Sequence, residues 1–320
     1  MENNLSTKDR IKKIFNKKKE ERKKPETPKE KIVEFFRQLF FAAIAAFFII
    51  TFIIQNTRIP TGSMEDTILV GDFVLVNKFI YGSTSPKYIP FTETQLPYFT
   101  LPAIKDPERT EIVVFEYPGD RDQLQASELG VNYVKRCIGT PGDTIQIIDK
   151  VVFVNGKELW RPPHIKYYNG RHGNFLKPKP KGYGDPRIFP KGMNWNEDNY
   201  GPLVVPKKGD VIPLNKYNID QWKTIIDREY GERVVDIRNG IVTINEIPVS
   251  SYTLKKDYYF MMGDNRDDSL DSRFWGFVAR DMVVGQAFIT LFSWDRNIPF
   301  SQLFKLIGSI RLDRVLKLLH

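Results

Sequence analysis

Three stretches of this 320-residue chain hold residues whose types and spacing could do covalent chemistry. The first is Ile59-Pro60-Thr61-Gly62-Ser63-Met64. Pro60 fixes the approach of the chain, and Gly62 lets the backbone turn sharply and come close to a substrate. A serine on such a turn can expose its hydroxyl and aim its own N–H at a developing oxyanion. A lone Gly-Ser pair is more often only a turn, and this is not the Gly-x-Ser-x-Gly elbow of hydrolases that use a histidine base. The second stretch is Tyr133-Val134-Lys135-Arg136-Cys137-Ile138-Gly139. Strand alternation puts Val131, Tyr133, Lys135 and Cys137 on one face and Val134, Arg136 and Ile138 on the other. Apolar neighbours would desolvate Lys135 and lower its pKa, fitting it to act as a base. On spacing alone, a lysine snorkelling from a strand edge is the commoner case.

The third stretch runs from Tyr259 to Gly276 and contains Gly263-Asp264-Asn265-Arg266-Asp267-Asp268-Ser269-Leu270-Asp271-Ser272-Arg273. A calcium loop is excluded, because Arg266 stands where that pattern needs Asp or Asn and no terminal Glu follows. Two arginines among four aspartates predict internal ion pairs instead. The three histidines, His164, His172 and His320, form no zinc spacing, and a triad built on one of them is a weak alternative. The single cysteine, Cys137, leaves no intramolecular disulfide to form.

These residues need elements to position them. Residues 1–37 carry thirteen Lys/Arg against seven Asp/Glu, so most of the net charge of +9 sits in a tail. No nucleic-acid recognition fold accompanies that tail, and a solvated tail near anionic lipid is the better reading. Residues 39–54 contain one polar side chain, Thr51. Counted from Phe35, twenty helical residues span about 30 Å, enough to cross a bilayer. No small-x-small cleavage site follows, so an uncleaved signal anchor is expected over 35–54, after a basic tail at 1–34. The Lys/Arg excess places the N-terminus in the cytoplasm and residues 55–296 outside. Ser63 lies nine residues beyond Ile54, within about 30 Å of the end of the apolar segment even if fully extended.

Beyond the anchor, short β-like runs at 73–76, 111–115 and 151–154 alternate with turn residues, and predict a mostly β, antiparallel body. Asn155-Gly156 and Asn239-Gly240 read as hairpin turns. Residues 160–250, rich in Pro, Gly, Tyr and Lys at their start, read as an inserted smaller β region. Residues 297–320 carry Leu303, Ile307 and Ile310 on a helical spacing with Lys305, Arg311, Arg314 and Lys317. An amphipathic helix is expected there, lying in the membrane interface or packed on the body.

All three stretches, in this order, resemble the signature boxes of type I signal peptidases, and residues 109–118 (Arg-Thr-Glu-Ile-Val-Val-Phe-Glu-Tyr-Pro) resemble a fourth. The resemblance implies an antiparallel β catalytic core and removal of signal peptides from secretory preproteins at small-x-small sites, next to membrane lipids, without metal, organic cofactor or nucleic acid. It implies that Ser63 is the nucleophile and Lys135 the general base, with the Thr61 hydroxyl and the Ser63 N–H forming the oxyanion hole. Ser269 would orient the lysine. Asp271 and Arg273 would form a supporting ion pair, Asp264 and Arg266 would brace the loop, and Arg136 would support the site. Ile59, Met64, Ile68, Tyr133 and Val134 would wall the side-chain pockets. The chain has Asp66 where some members have proline and Thr61 where some have serine, and neither departure removes a required group. Two rivals are a soluble self-cleaving repressor-type protease, which the apolar segment argues against, and an inactive membrane-tethered binding module, which intact Ser63, Lys135 and Ser269 argue against.

Overall fold

The computed structural model describes residues 27–86, 92, 94, 96–127, 130–167, 177–295 and 297–319. The chain divides into two units, residues 1–50 and 51–320. The first contains most of helix α1, Pro28–Phe52. Its start is fixed by a capping box, in which the Glu30 N–H donates to Thr27 Oγ1 at 3.2 Å and the Thr27 N–H donates to Glu30 Oε2 at 3.3 Å. Pro28 occupies the first helical position, where a missing N–H costs nothing. Twenty-five residues give a rod of about 37 Å, long and apolar enough to cross a membrane. The helix starts earlier than the sequence suggested and stops two residues short of Ile54, which opens strand β1 (Ile54–Arg58).

The body is mostly β and antiparallel. Its main sheet uses β1, β2 (Asp72–Asn77), β3 (Ile112–Glu116) and β4 (Asn132–Gly139). Between β4 and the later strands come β5 (Thr144–Ile148), β6 (Val151–Val154), β7 (Lys157–Glu158), β8 (Tyr200–Val204), β9 (Val211–Pro213) and helix α2 (Ile219–Tyr230). Then follow β10 (Val235–Arg238), β11 (Ile241–Ile244), β12 (Ile247–Pro248), β13 (Ser251–Thr253), β14 (Tyr258–Met262), α3 (Ser272–Trp275), β15 (Val278–Ala279), β16 (Val283–Ser293), α4 (Leu303–Gly308) and β17 (Lys317–Leu318). The main sheet runs β1-β2-β16-β3-β4-β14-β15, with β17 on β16 where β3 has ended. Both faces are covered. Val113, Phe115, Cys137, Tyr259 and Met261 pack on one side, while Val74, Val76, Ile112, Val114 and Val134 pack on the other with Ile59, Met64 and Ile68.

Strands β4 and β14 are neighbours, so everything from 140 to 257 is one excursion between them. It forms a four-stranded sheet (β7-β6-β5-β8), a three-stranded one (β10-β11-β12) and the pair β9 and β13. The excursion therefore opens before residue 160. Both Asn-Gly turns close hairpins, with φ of 53° and 75° at Asn155 and Gly156 and 50° and 77° at Asn239 and Gly240, as the two-residue turn requires. Helix α2 was not anticipated among the strands, although Ile219, Trp222, Ile225 and Ile226 follow a helical period and Gly231 terminates it in the left-handed region. Those four side chains join Ile138, Tyr258, Phe260 and Met262 in one core, which ties the excursion to the main sheet.

The expected helix over 297–320 is corrected. Only Leu303–Gly308 is α-helical, and a short 3₁₀ turn leads from it to β17. Two of the four basic residues read as a polar face, Arg311 and Arg314, are instead anchors. Arg311 Nη1 donates to the Val70 carbonyl and to Ser293 Oγ, each at 3.0 Å. Arg314, buried, clamps Asp72 with both arms of its guanidinium and also donates to the Thr67 carbonyl at 2.9 Å.

Candidate active site

Ser63 sits in the turn between β1 and β2. The Gly62 carbonyl accepts the Glu65 N–H at 2.9 Å, and the Met64 carbonyl accepts the N–H groups of Thr67 and Ile68. Met64 and Ile68 plant the turn in the core, leaving Ser63 half-buried at the mouth. Asn265, from the loop after β14, grips the turn twice. Its backbone N–H donates to the Ser63 carbonyl at 3.0 Å and its side-chain amide to the Gly62 carbonyl at 3.0 Å. Gly263 is the other residue that the sequence reading missed. A Cβ built there would lie 2.2 Å from Ser269 Oγ and 2.5 Å from the Ser63 carbonyl oxygen, so no side chain fits. The signals were its place after an apolar strand and beside Asp264, which mark a close approach only once the partner is known.

Lys135 reaches the same point from β4. It is 3% exposed, and its Nζ donates to Ser63 Oγ. The predicted strand face holds: Val113 is its cross-strand partner, and Nζ lies 5.6 Å from the centroid of the Tyr133 ring. That ring is stacked on Tyr117 at 4.4 Å and set edge-on to Trp275 at 5.7 Å. Burial drives the Lys135 pKa down to about 8; Asp271 pulls it up, Arg273 pushes it down, and Asp264 adds a smaller upward pull.

The other face of β4 carries Arg136, fully buried, which meets Asp264 through Nε at 2.8 Å and Nη2 at 2.6 Å. Thr67 Oγ1 also donates to Asp264, at 2.6 Å. Asp264 is thus held by Arg136, and among the described residues Arg266 pairs with no acid. Asp271 and Arg273 do form the expected pair, Nε to Oδ1 at 2.9 Å and Nη2 to Oδ2 at 2.8 Å. Asp271 also accepts the Gly263 N–H at 3.1 Å and caps α3. Burial alone would raise its carboxyl, but Arg273 holds it below the ordinary value. Ser269 is brought to the site and lies against Gly263, yet its hydroxyl donates to the Leu270 carbonyl at 3.4 Å and makes no hydrogen bond to Lys135 here.

A cleft of about 300 Å³ runs past Ser63 and Lys135. Ile59, Met64, Tyr133 and Val134 line it as expected, joined by Leu270 and Thr61. Ile68 does not; it is fully buried behind Ile59 and Met64, because the turn directs it inward. Among the described residues neither the Thr61 hydroxyl nor the Ser63 N–H has a hydrogen-bond partner, so both donors are open to the cleft. His164 is exposed and does not line the cleft, while His172 and His320 lie outside the described residues. A hydroxyl touching a desolvated amine, beside two open donors and an apolar-walled cleft, is equipped for acyl transfer from an extended peptide.

Comparison with known proteins gives a consistent answer. A family profile described as "Signal peptidase, peptidase S26" matches residues 32–292. The chain is 32% identical to signal peptidase I of Buchnera aphidicola subsp. Acyrthosiphon pisum over 89% of its own length and 84% of that protein's. It is 29% identical to signal peptidase I of Pseudomonas aeruginosa over 82% and 73% of the two chains, and 29% identical to that of Aquifex aeolicus over 80% and 82%.

Proposed function

The chain belongs to the peptidase S26 signal peptidase family, serine peptidases that remove signal peptides, and from that premise we propose which of its residues do the chemistry and where it works. Ser63 is the nucleophile and Lys135 its general base. The observation that carries this reading is the hydrogen bond between Ser63 Oγ and the amine of a lysine whose burial brings its pKa to about 8. Neutral Lys135 takes the Ser63 proton as Oγ attacks the scissile carbonyl. The oxyanion is received by the Ser63 N–H and the Thr61 hydroxyl. The Lys135 ammonium then gives its proton to the departing amine, leaving an acyl-enzyme. A water, deprotonated by the same lysine, releases the cleaved signal peptide and restores Ser63.

The cleft walls, Ile59, Met64, Tyr133 and Val134, support acceptance of small side chains at the first and third positions before the cut. Larger ones would overfill it at a cost of at least a few kcal/mol. The apolar helix Pro28–Phe52 serves as the membrane anchor, and the basic residues before it keep the N-terminus in the cytoplasm and the peptidase body outside. The test is a secretory precursor with a small-x-small site, incubated with detergent-solubilised protein and mapped at the cut. Ser63→Ala should lose activity by roughly 10⁶-fold while keeping its thermal transition. Retention of more than a few per cent of activity would assign the nucleophile elsewhere.

A further inference from the structure

Arg266 differs from the other buried arginines of the body. Arg136, Arg273 and Arg314 each meet a buried carboxylate, those of Asp264, Asp271 and Asp72. Arg266 is 6% exposed, has no ion pair among the described residues, and its Nε is buried without a hydrogen-bond partner. Its backbone, by contrast, is fully used. The N–H donates to the Lys166 carbonyl at 2.8 Å, and its own carbonyl accepts Arg273 Nη2 at 2.7 Å. Desolvation by burial is the largest influence on this guanidinium and outweighs the pull of the more distant Asp264 and Asp271, so a buried charge without a paired carboxylate is disfavoured and something other than bulk solvent is expected to meet it.

Arg266 lines a cavity of about 60 Å³ together with Lys150, Glu158, Trp160, Arg161 and Tyr167. The Lys150 ammonium is engaged, at 2.7 Å from Asp267 and 3.3 Å from Asp198. Arg161, exposed at the rim, lies over the Tyr167 ring at 4.9 Å and pairs with no acid among the described residues. Glu158 contributes the one carboxylate of the lining, but it is exposed and makes no bond to Arg266. Residues 168–176, which follow Tyr167, include no Asp or Glu to supply a counter-charge. The volume suits a few waters or one small anion and excludes a nucleotide or a peptide strand.

We propose that this cavity binds one small oxyanion of the phosphate or carboxylate class, held from within by Arg266 and at the mouth by Arg161. Guanidinium groups match such oxygens with paired donors. Asn265, next to Arg266, holds the Ser63 turn, so an occupied site would steady the loop that supports the nucleophile. The assignment stands on Arg266 and its cavity and does not depend on the peptidase mechanism.

The test uses the full chain in detergent, with thermal unfolding followed at constant ionic strength in chloride. Inorganic phosphate is titrated in one arm and acetate in the other. A saturable rise in Tm above the chloride baseline is expected in at least one arm, and which arm responds gives the class. Arg161→Gln should weaken the apparent Kd about tenfold, the scale of one charge-assisted hydrogen bond. Glu158→Gln should tighten it by removing a repelling carboxylate, a gain that general destabilisation could not produce. Arg266→Gln should abolish the response; if that variant does not fold, the opposed effects at Arg161 and Glu158 still decide the matter. An equal rise in chloride, or a response that neither rim variant changes, overturns the site and leaves an adventitious ion only.

Discussion

Replacing Lys135 with methionine should abolish cleavage and make the protein more stable at neutral pH. Methionine keeps the length and apolar stem of the lysine and removes the ammonium. The amine is 3% exposed, and its pKa falls from 10.5 in the unfolded chain to about 8 in the folded one. Below pH 8 both states hold the proton, and the folded state bears the whole penalty of burying it, about 3 kcal/mol at 1.36 kcal/mol per unit. Between about 8 and 10.5 the unfolded chain still binds a proton that the folded chain has released, so wild-type stability rises with pH across that window. The advantage of Lys135→Met should therefore be largest at pH 7, several degrees in Tm for a body of this size, and should shrink towards zero as pH approaches 10.5. Comparing the two proteins at each pH cancels the other titrating groups. A variant less stable than wild type at pH 7, or an advantage that does not change with pH, would show that the folded site stabilises the ammonium and would refute the reasoning.

The acid limb of kcat/KM against pH should turn at about 8, rising with pH as Lys135 becomes neutral, and a limb turning near 10 would place the base in water. Gly263→Ala puts a methyl 2.2 Å from Ser269 Oγ and 2.5 Å from the Ser63 carbonyl, and the resulting shift should lower kcat at least about 100-fold in a saturating precursor assay. Asn265→Ala removes one bond to the Gly62 carbonyl and spares the backbone bond to Ser63; kcat should fall about tenfold with KM little changed. Arg314→Ala leaves Asp72 buried without its partner, which should cost about 3–5 kcal/mol in denaturant unfolding without moving the pH profile.

How far the sequence could be read follows from which interactions are local. The turn that presents Ser63 and the strand face that desolvates Lys135 are set by neighbours within a few positions, and both are where local rules put them. The pairing of Asp271 with Arg273 is equally local, two residues apart. Asp264 shows the limit. Its nearest arginine in the chain, Arg266, is not its partner; Arg136, 128 residues away, is, because β4 and β14 are adjacent in the sheet. Periodicity states which face a residue occupies and is silent on what stands across it. The same limit hid Gly263 and Asn265, whose work is done against Ser63, and turned Arg311 and Arg314 from an apparent polar helix face into anchors on Ser293 and Asp72. Ile68 failed as a pocket residue for a related reason, since the tight turn after Ser63 swings it behind the wall it was expected to form.

The buried ion pairs around the loop also bear on the proposed role of Lys135 as the base. Asp264 and Asp271 are the carboxylates that would hold Lys135 protonated, and each is clamped by a two-pronged guanidinium. Asp271 pulls the lysine pKa up, and its partner Arg273 opposes that pull by pushing it down. Desolvation by burial is the largest influence and carries the net shift downward against the upward pulls of Asp271 and Asp264. Arg273, which pairs with Asp271 at this corner, is thus also one of the groups that lower the amine's pKa, and structure and reactivity here rest on the same residues.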